Sequence, residues 1–317
     1  MKRTTQEVEV EGQRIVLSNM EKQLFPSGFT KGQVIDFYVR ISGYALPHLA
    51  GRPVTLKRYP NGVTGKHFYE KDAPARTPDW VRTYPVPRRA GGTDINYIVI
   101  DKLAALVWCA NTASLELHPF LHRVPKIDVP TAVVFDLDPG DGADIVTCCE
   151  VAFLLRSKLE ERGLECYAKV SGSKGIQVYV PLNTRVSYQE SQTFAHALAE
   201  ELEREHPALI VSAMAKAQRT GKVFIDWSQN SDFKTTVAPY SLRAKNATPY
   251  VSLPVRWEEL QAALDSGDKS GLYFEPEAAV SRLKSTGDLF APVLSQKQKL
   301  RAEPKKRAPR GRAAKEA

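Results

Sequence analysis

"TAVVFDLDPGD", residues 131–141, decides how the rest of this sequence is read. Its apolar, β-branched run predicts a buried strand over 131–138 that carries two acids, Asp136 and Asp138, and breaks at Pro139-Gly140. Side chains alternate along a strand, so both carboxylates project to one side. Such like charges repel unless a cation or proton lies between them, which makes the pair candidate metal ligands. Acids also commonly cap turns, so the metal reading needs a further ligand elsewhere.

Downstream the pattern is regular. Asp144 can cap a helix whose Ile145, Cys149, Ala152 and Leu159 keep helical spacing until Gly163 closes it. A second strand is expected at 165–170, then the turn Ser171-Gly172-Ser173-Lys174-Gly175. The third strand, "IQVYVPL", alternates Ile176, Val178 and Val180 with Gln177 and Tyr179. A helix from about 188 to 205 and a fourth strand, "VFIDW" at 223–227, follow. The order β-α-β-β-α-β predicts an α+β chain with a ferredoxin-like, RRM-like core. In that arrangement the first strand lies between the third and fourth, so Asp136 and Asp138 can face Asp226 and the SGSKG turn. Three carboxylates offer hard oxygen ligands suited to manganese or magnesium, with room for two ions ~4 Å apart.

The SGSKG turn can cradle an anion with backbone N–H groups, two hydroxyls and Lys174; it also reads as an ordinary glycine-rich turn. Lys216, Arg219, Lys222 and Arg243 add positive charge around the fourth strand. Near the N-terminus, Thr30-Lys31-Gly32-Gln33 fits a capping box opening a helix to about 41. Lys31 then stands in the first turn, where the helix dipole disfavours a cation. A bound phosphate, with Lys22 beside it, would resolve the conflict; a solvated lysine would as well. "TLKRYPNGVTGKHFYEKDAP" mixes Phe68 and Tyr69 with Lys57, Arg58, Lys66 and Lys71, suited to stacking and charge at a nucleic acid; strand alternation predicts that one of the two rings is core. In "LELHPFLHR", Pro119 and the lack of a third ligand argue against zinc, leaving His118 as a phosphate or supporting group and His122 as a buried, hydrogen-bonded histidine.

The formal net charge is +8, yet residues 297–317 hold nine Lys/Arg against two Glu, so the body is near neutral. This basic stretch, taken from 296 on, predicts a disordered tail able to hold polyanions or simply to solubilise. No signal-like or membrane-spanning apolar run occurs, which predicts a cytoplasmic protein. The four cysteines, Cys109, Cys148, Cys149 and Cys166, lack metal or disulfide spacing and are expected to be reduced.

Together "VVFDLDP", "VSGSKGIQVYVPL" and "VFIDWSQN" resemble the polymerase domain of bacterial DNA ligase D, in the archaeo-eukaryotic primase superfamily. The likeness runs to about residue 295 through "EKQLFPSGFTKGQVIDFY", "TLKRYPNGVTGKHFYEK", "ELHPFLHR" and "YSLRA". With no ligase or nuclease segment in the sequence, it extends to the stand-alone primase-polymerases of actinobacteria, the Prim-PolC type included. The resemblance implies a catalytic domain over 1–295, divided near 128/129, and Asp136, Asp138 and Asp226 as catalytic metal ligands. It implies Ser171, Lys174, Gln177, Arg219, His118 and Arg243 around a triphosphate, with Lys57 and Phe68 against the incoming nucleotide. Lys22 and Lys31 match the pair recognising a DNA 5′-phosphate, and Arg88 and Arg89 fall where template or broken ends are positioned. Gln177 stands where this family usually has His, and Phe120 where it usually has Trp.

The implied activity is addition of one or a few nucleotides, ribonucleotides preferred, at a 3′-OH in gapped or broken duplex DNA. The implied partners are NTP or dNTP, a separate ATP-dependent ligase and Ku, around a monomer associated with the bacterial nucleoid. Two alternatives differ in class: a non-catalytic DNA gap or end scaffold, and a haloacid-dehalogenase-like phosphatase whose D-x-D signature "FDLDPGD" resembles.

Overall fold

The computed structural model describes residues 5–300. Its larger sheet has six strands in the order Ile210–Val211, Val223–Asp226, Ala132–Pro139, Ile176–Pro181, Tyr167–Val170, Leu253–Val255. All neighbours are antiparallel except the first pair. The first strand of the motif thus lies between the third and fourth, as the sequence pattern predicts. The two outermost strands escape the sequence reading because they are two and three residues long.

Alternation assigns each face of this sheet its task. Val133, Phe135 and Leu137 join Ile176, Val178 and Val180 in the main core, together with Val151, Leu155 and Leu159 of the helix Ile145–Glu161 and Leu198 and Leu202 of the helix Tyr188–Glu205. The helices start where their caps dictate. Asp144 accepts from the backbone N–H groups of Val146 and Thr147, and Ser187 accepts from that of Glu190. On the opposite face, Ala132 and Val134 are covered by Leu121, Tyr179, Phe290 and Val293. That cover ends before Asp136 and Asp138, which are half-buried and exposed respectively.

A second sheet supplies the facing wall. Its strand Pro53–Arg58 pairs with Phe68–Glu70, Ile95–Val99 and Ser114–Pro119, and Thr83–Val86 extends it. The helices Lys31–Arg40 and Leu103–Asn111 share one core with the larger sheet, since Val34, Phe37, Leu106 and Val107 belong to the same buried cluster as Phe135. Cys109, Cys148, Cys149 and Cys166 are buried and free. No helix among the described residues is long and apolar enough to cross a membrane. Of the basic stretch expected from 296, residues 301–317 lie outside the described residues. Gln298 is fixed to the fold: its backbone N–H donates to the Leu182 carbonyl, and its Nε2 to those of Glu165 and Pro181.

Candidate active site

The register of the larger sheet places four polar side chains in one row on the face turned away from the main core. Asp226 lies opposite Asp136, Asp136 opposite Gln177, and Gln177 opposite Lys169. Burial, then the neighbouring Asp138 charge, pushes the Asp136 carboxyl up to about 7. Asp138 is also raised, first by protein crowding and then by Asp226, although Arg219, Arg243 and Lys245 oppose the shift. Both shifts mark a place short of positive charge. Lys169, wholly buried and donating to Ser252 Oγ, lies at the far end of the row.

Asp226 is differently engaged. Its Oδ1 accepts from the N–H and hydroxyl of Ser228, capping a short 3₁₀ turn, while Oδ2 accepts from Gln229 Nε2 at 3.1 Å. Lys234 Nζ lies 3.7 Å from Oδ2 and also donates to Ser228 Oγ. Among the described residues, no three His, Cys, Asp or Glu side chains are gathered into a ready metal-binding set. The donor chemistry nevertheless fits a hard divalent ion: Asp136 and Asp138 carry oxygen donors whose proton affinity is raised, and Asp226 stands across from Asp136 with the Lys234 amine beside it. Lys234→Ala should therefore free Asp226 and tighten Mn²⁺ binding roughly two- to fivefold, the worth of a partly exposed ion pair. Titration followed by electron paramagnetic resonance checks this, and weaker binding would refute it.

The SGSKG turn is built to pass close beneath these acids. Ser171 Oγ accepts from the N–H groups of Ser173 and Gly175, both at 3.2 Å, and Ser171 N donates to Gly175 O at 2.9 Å. Lys174 is exposed at the tip. A Cβ on Gly175 would lie 2.2 Å from the Leu137 carbonyl oxygen; on Gly172, whose φ is +69°, it would meet Arg243 Cγ at 2.7 Å. Glycine is thus required for the turn to fit between the D-x-D strand and Arg243. Gly140 plays the same part at the strand's end, where an added Cβ would lie 1.8 Å from the Arg219 carbonyl oxygen. Arg219 lays its guanidinium over Phe224 and donates to Met214 O at 2.8 Å. Gln177 is buried, donates from Nε2 to Thr236 Oγ1 at 3.0 Å, and leaves Oε1 without a protein partner among the described residues.

Lys57, His118 and Arg243 converge on the facing wall around Glu116, a buried acid that the sequence reading passed over. Burial holds the His118 imidazole below its ordinary value despite the Glu116 carboxylate beside it. Lys57 Nζ is also flanked by the rings of Tyr59 and Tyr69, 5.3 and 5.2 Å away. Alternation around Phe68 and Tyr69 misleads: both rings are exposed, because their three-residue strand forms the sheet's edge and neither face is covered. His122 is buried, bonded through Nδ1 to Tyr188 Oη and stacked on Phe120.

Lys31 is buried and donates to the Ser18 carbonyl and hydroxyl, so the conflict with the helix dipole is met within the chain. Lys22 is exposed and donates to Pro60 O at 2.6 Å. Arg88 and Arg89 occupy an exposed loop, where the Arg89 guanidinium stacks 4.4 Å from the Phe233 ring centroid, next to Lys234.

Comparison with known proteins gives this geometry a family. The family described as LigD, primase-polymerase domain, matches residues 30–290. The multifunctional non-homologous end joining protein LigD of Mycolicibacterium smegmatis is 39% identical over 284 residues, 89% of this chain and 36% of that protein. The bifunctional non-homologous end joining protein LigD of Bacillus subtilis is 31% identical over 280 residues, 87% of this chain and 44% of that protein. The chain thus spans less than half the length of these relatives. Among solved structures, the polymerase domain from Mycobacterium tuberculosis ligase D, in complex with DNA, matches with a TM-score of 0.83 at 38% identity, over 90% of this chain and 100% of that one. From carboxylate row to cationic wall, then, this mixed α+β chain belongs to the LigD primase-polymerase domain family and is a nucleotidyltransferase.

Proposed function

We propose that this chain is a metal-dependent primase-polymerase of DNA repair, built on the archaeo-eukaryotic primase fold. It adds one or a few nucleotides, ribonucleotides preferred, to a 3′-OH facing a short gap or break with a downstream 5′-phosphate. The observation that carries this reading is the pairing of Asp136, Asp138 and Asp226 on one open sheet face with a cationic wall reached through the SGSKG turn. Asp136, Asp138 and Asp226 would hold divalent manganese or magnesium, expected as two ions, which when bound supplies positive charge at the attacking and leaving oxygens.

The chain's own groups do the rest. Lys57, His118, Arg219 and Arg243, with Lys174 at the turn tip, surround a triphosphate, and the lysines and arginines among them offset the charge that develops on it. Gln177 Oε1, buried and unpaired by protein, accepts a hydrogen bond from the bound nucleotide or its water. Phe68, exposed beneath the Arg58 guanidinium, presents a stacking face. Lys22 and Lys31 serve the downstream 5′-phosphate, and the Arg88-Arg89 loop positions template or broken ends. The catalytic unit is residues 1–295, with the core from 129. Its setting is the bacterial cytoplasm, as a monomer acting with a separate ATP-dependent ligase and Ku.

A labelled gapped duplex, incubated with the protein, manganese and each nucleotide in turn, tests the reading. Extension by one to a few nucleotides is expected, faster when the gap carries a 5′-phosphate. Lys22→Ala should erase that preference without lowering extension of the unphosphorylated gap. Because Lys31 is also tied to Ser18, Lys31→Met is the companion variant and needs a parallel melting curve. Duplex binding with no incorporation would favour a non-catalytic scaffold; an unchanged phosphate preference in both variants would place that pocket elsewhere.

A further inference from the structure

We infer that Glu116 is a positioning residue for the nucleotide, acting through Lys57, His118 and Arg243; the inference rests on the polymerase reading above. Glu116 lies in the strand Ser114–Pro119, directly opposite Lys57 and two residues before His118 on the same face. Only 1% of its surface is exposed. Its Oε1 accepts from Tyr59 Oη at 3.0 Å and Ala244 N at 3.2 Å, with Lys57 Nζ at 3.5 Å. Its Oε2 accepts from His118 Nε2 at 3.0 Å and faces Arg243 Nε at 3.6 Å. One carboxylate thereby joins groups from the 53–58 strand, its own strand and the Leu242–Arg243 strand.

A buried acid with so many donors invites a purely structural reading, but the donors argue for more. Lys57 and Arg243 repel each other, and without an anion between them both would swing toward solvent, losing the fixed geometry that a triphosphate needs. Arg243 approaches Glu116 through Nε at 3.6 Å, beyond hydrogen-bond reach, and its forked guanidinium suits the oxygens of a phosphate. Donation from His118 Nε2 fixes the neutral ring's tautomer and leaves Nδ1 as an acceptor, suited to a hydroxyl of the nucleotide and not to its phosphate oxygens. The result is two preset cationic donors, Lys57 and Arg243, and one preset acceptor on a common anchor, so that little ordering remains for the moment of binding.

A double-mutant cycle separates positioning from mere support. The probe is a fluorescent ATP analogue, titrated in manganese without primer so that no turnover occurs. Glu116→Gln, which keeps the side chain's size, is expected to weaken binding on the order of tenfold, and Glu116→Asp, which keeps the charge, to recover part of the loss. In a Lys57→Met, Arg243→Met background the Glu116→Gln penalty should shrink to about twofold or less, because the groups it presets are gone. Extension kinetics should show the loss mainly in KM. Unchanged binding in Glu116→Gln, or an undiminished penalty in that background, would overturn the assignment. Failure of the parent protein to bind the nucleotide would overturn the polymerase reading and this inference with it.

Discussion

Combining Asp136→Ala with Asp138→Ala is expected to abolish primer extension, a loss of at least about 10³-fold, while binding to a gapped duplex stays within about twofold. The two effects separate because the acids repel a polyanion, whereas Lys22 and the Arg88-Arg89 loop attract it. Gel-shift and extension assays on the same preparation check both, and extension persisting in the double variant would refute the assignment of the ligands. The same carboxylates make a stability prediction of opposite sign. The folded-state Asp136 pKa of about 7 lies above its unfolded value near 4, so between these limits the folded protein binds the additional proton. Metal-free stability should therefore fall as pH rises from about 4 to about 7, and Asp136→Asn should flatten that slope and raise Tm at neutral pH by roughly 2–4 °C. An enzyme that loses activity and gains heat resistance from one substitution is what a site of crowded, half-buried carboxylates predicts.

Gly175→Ala should be among the most damaging single methyl groups in the site, alongside Gly140→Ala. The new Cβ would lie 2.2 Å from the Leu137 carbonyl oxygen and 3.5 Å from Asp138 Oδ1, so either the SGSKG turn or the D-x-D strand must shift. Both are backbone, so the cost is about 3 kcal/mol, read as a Tm lower by roughly 5–10 °C. The shift also separates the turn from Asp138, so nucleotide binding should weaken on the order of tenfold. Gly43→Ala is the control: no atom lies within 4 Å of its Cβ position, and the residue sits in the helix Ser42–Leu49, where alanine is the better helix former. Gly43→Ala should match or slightly exceed the parent's Tm. Equal melting of Gly175→Ala and parent would mean that the turn is looser than its contacts imply.

Much of this site is legible in the sequence because local patterns carry it. Period-two alternation, helical spacing and the capping residue Asp144 are enough to place four strands and two helices in order. From that order the Asp136–Asp226 neighbourhood follows. What stays hidden depends on partners distant in sequence. Glu116 in "LELHP" looks like an ordinary polar strand position until Lys57 and Arg243 arrive from elsewhere in the chain; its one local signal is sharing a face with His118. Lys234 in "SDFKTT" carries no pattern that would announce an ion pair with Asp226. Lys31 reads as a surface cation because helix periodicity says nothing of the Ser18 carbonyl above it. Phe68 and Tyr69 mislead because alternation predicts one core ring only for a strand that has a core on one side.

Position 177 shows what the row across the sheet entails. A histidine there would sit with Asp136 on one side and the buried amine of Lys169 on the other. The acid would favour an imidazolium, while the amine and the dry surroundings would oppose it, and the balance would drift with the acidity of the medium. An amide in the same slot can donate and accept hydrogen bonds with no such dependence. By carrying glutamine, this chain has no titratable group at that place in the row, whereas Asp136 beside it keeps a carboxyl that titrates.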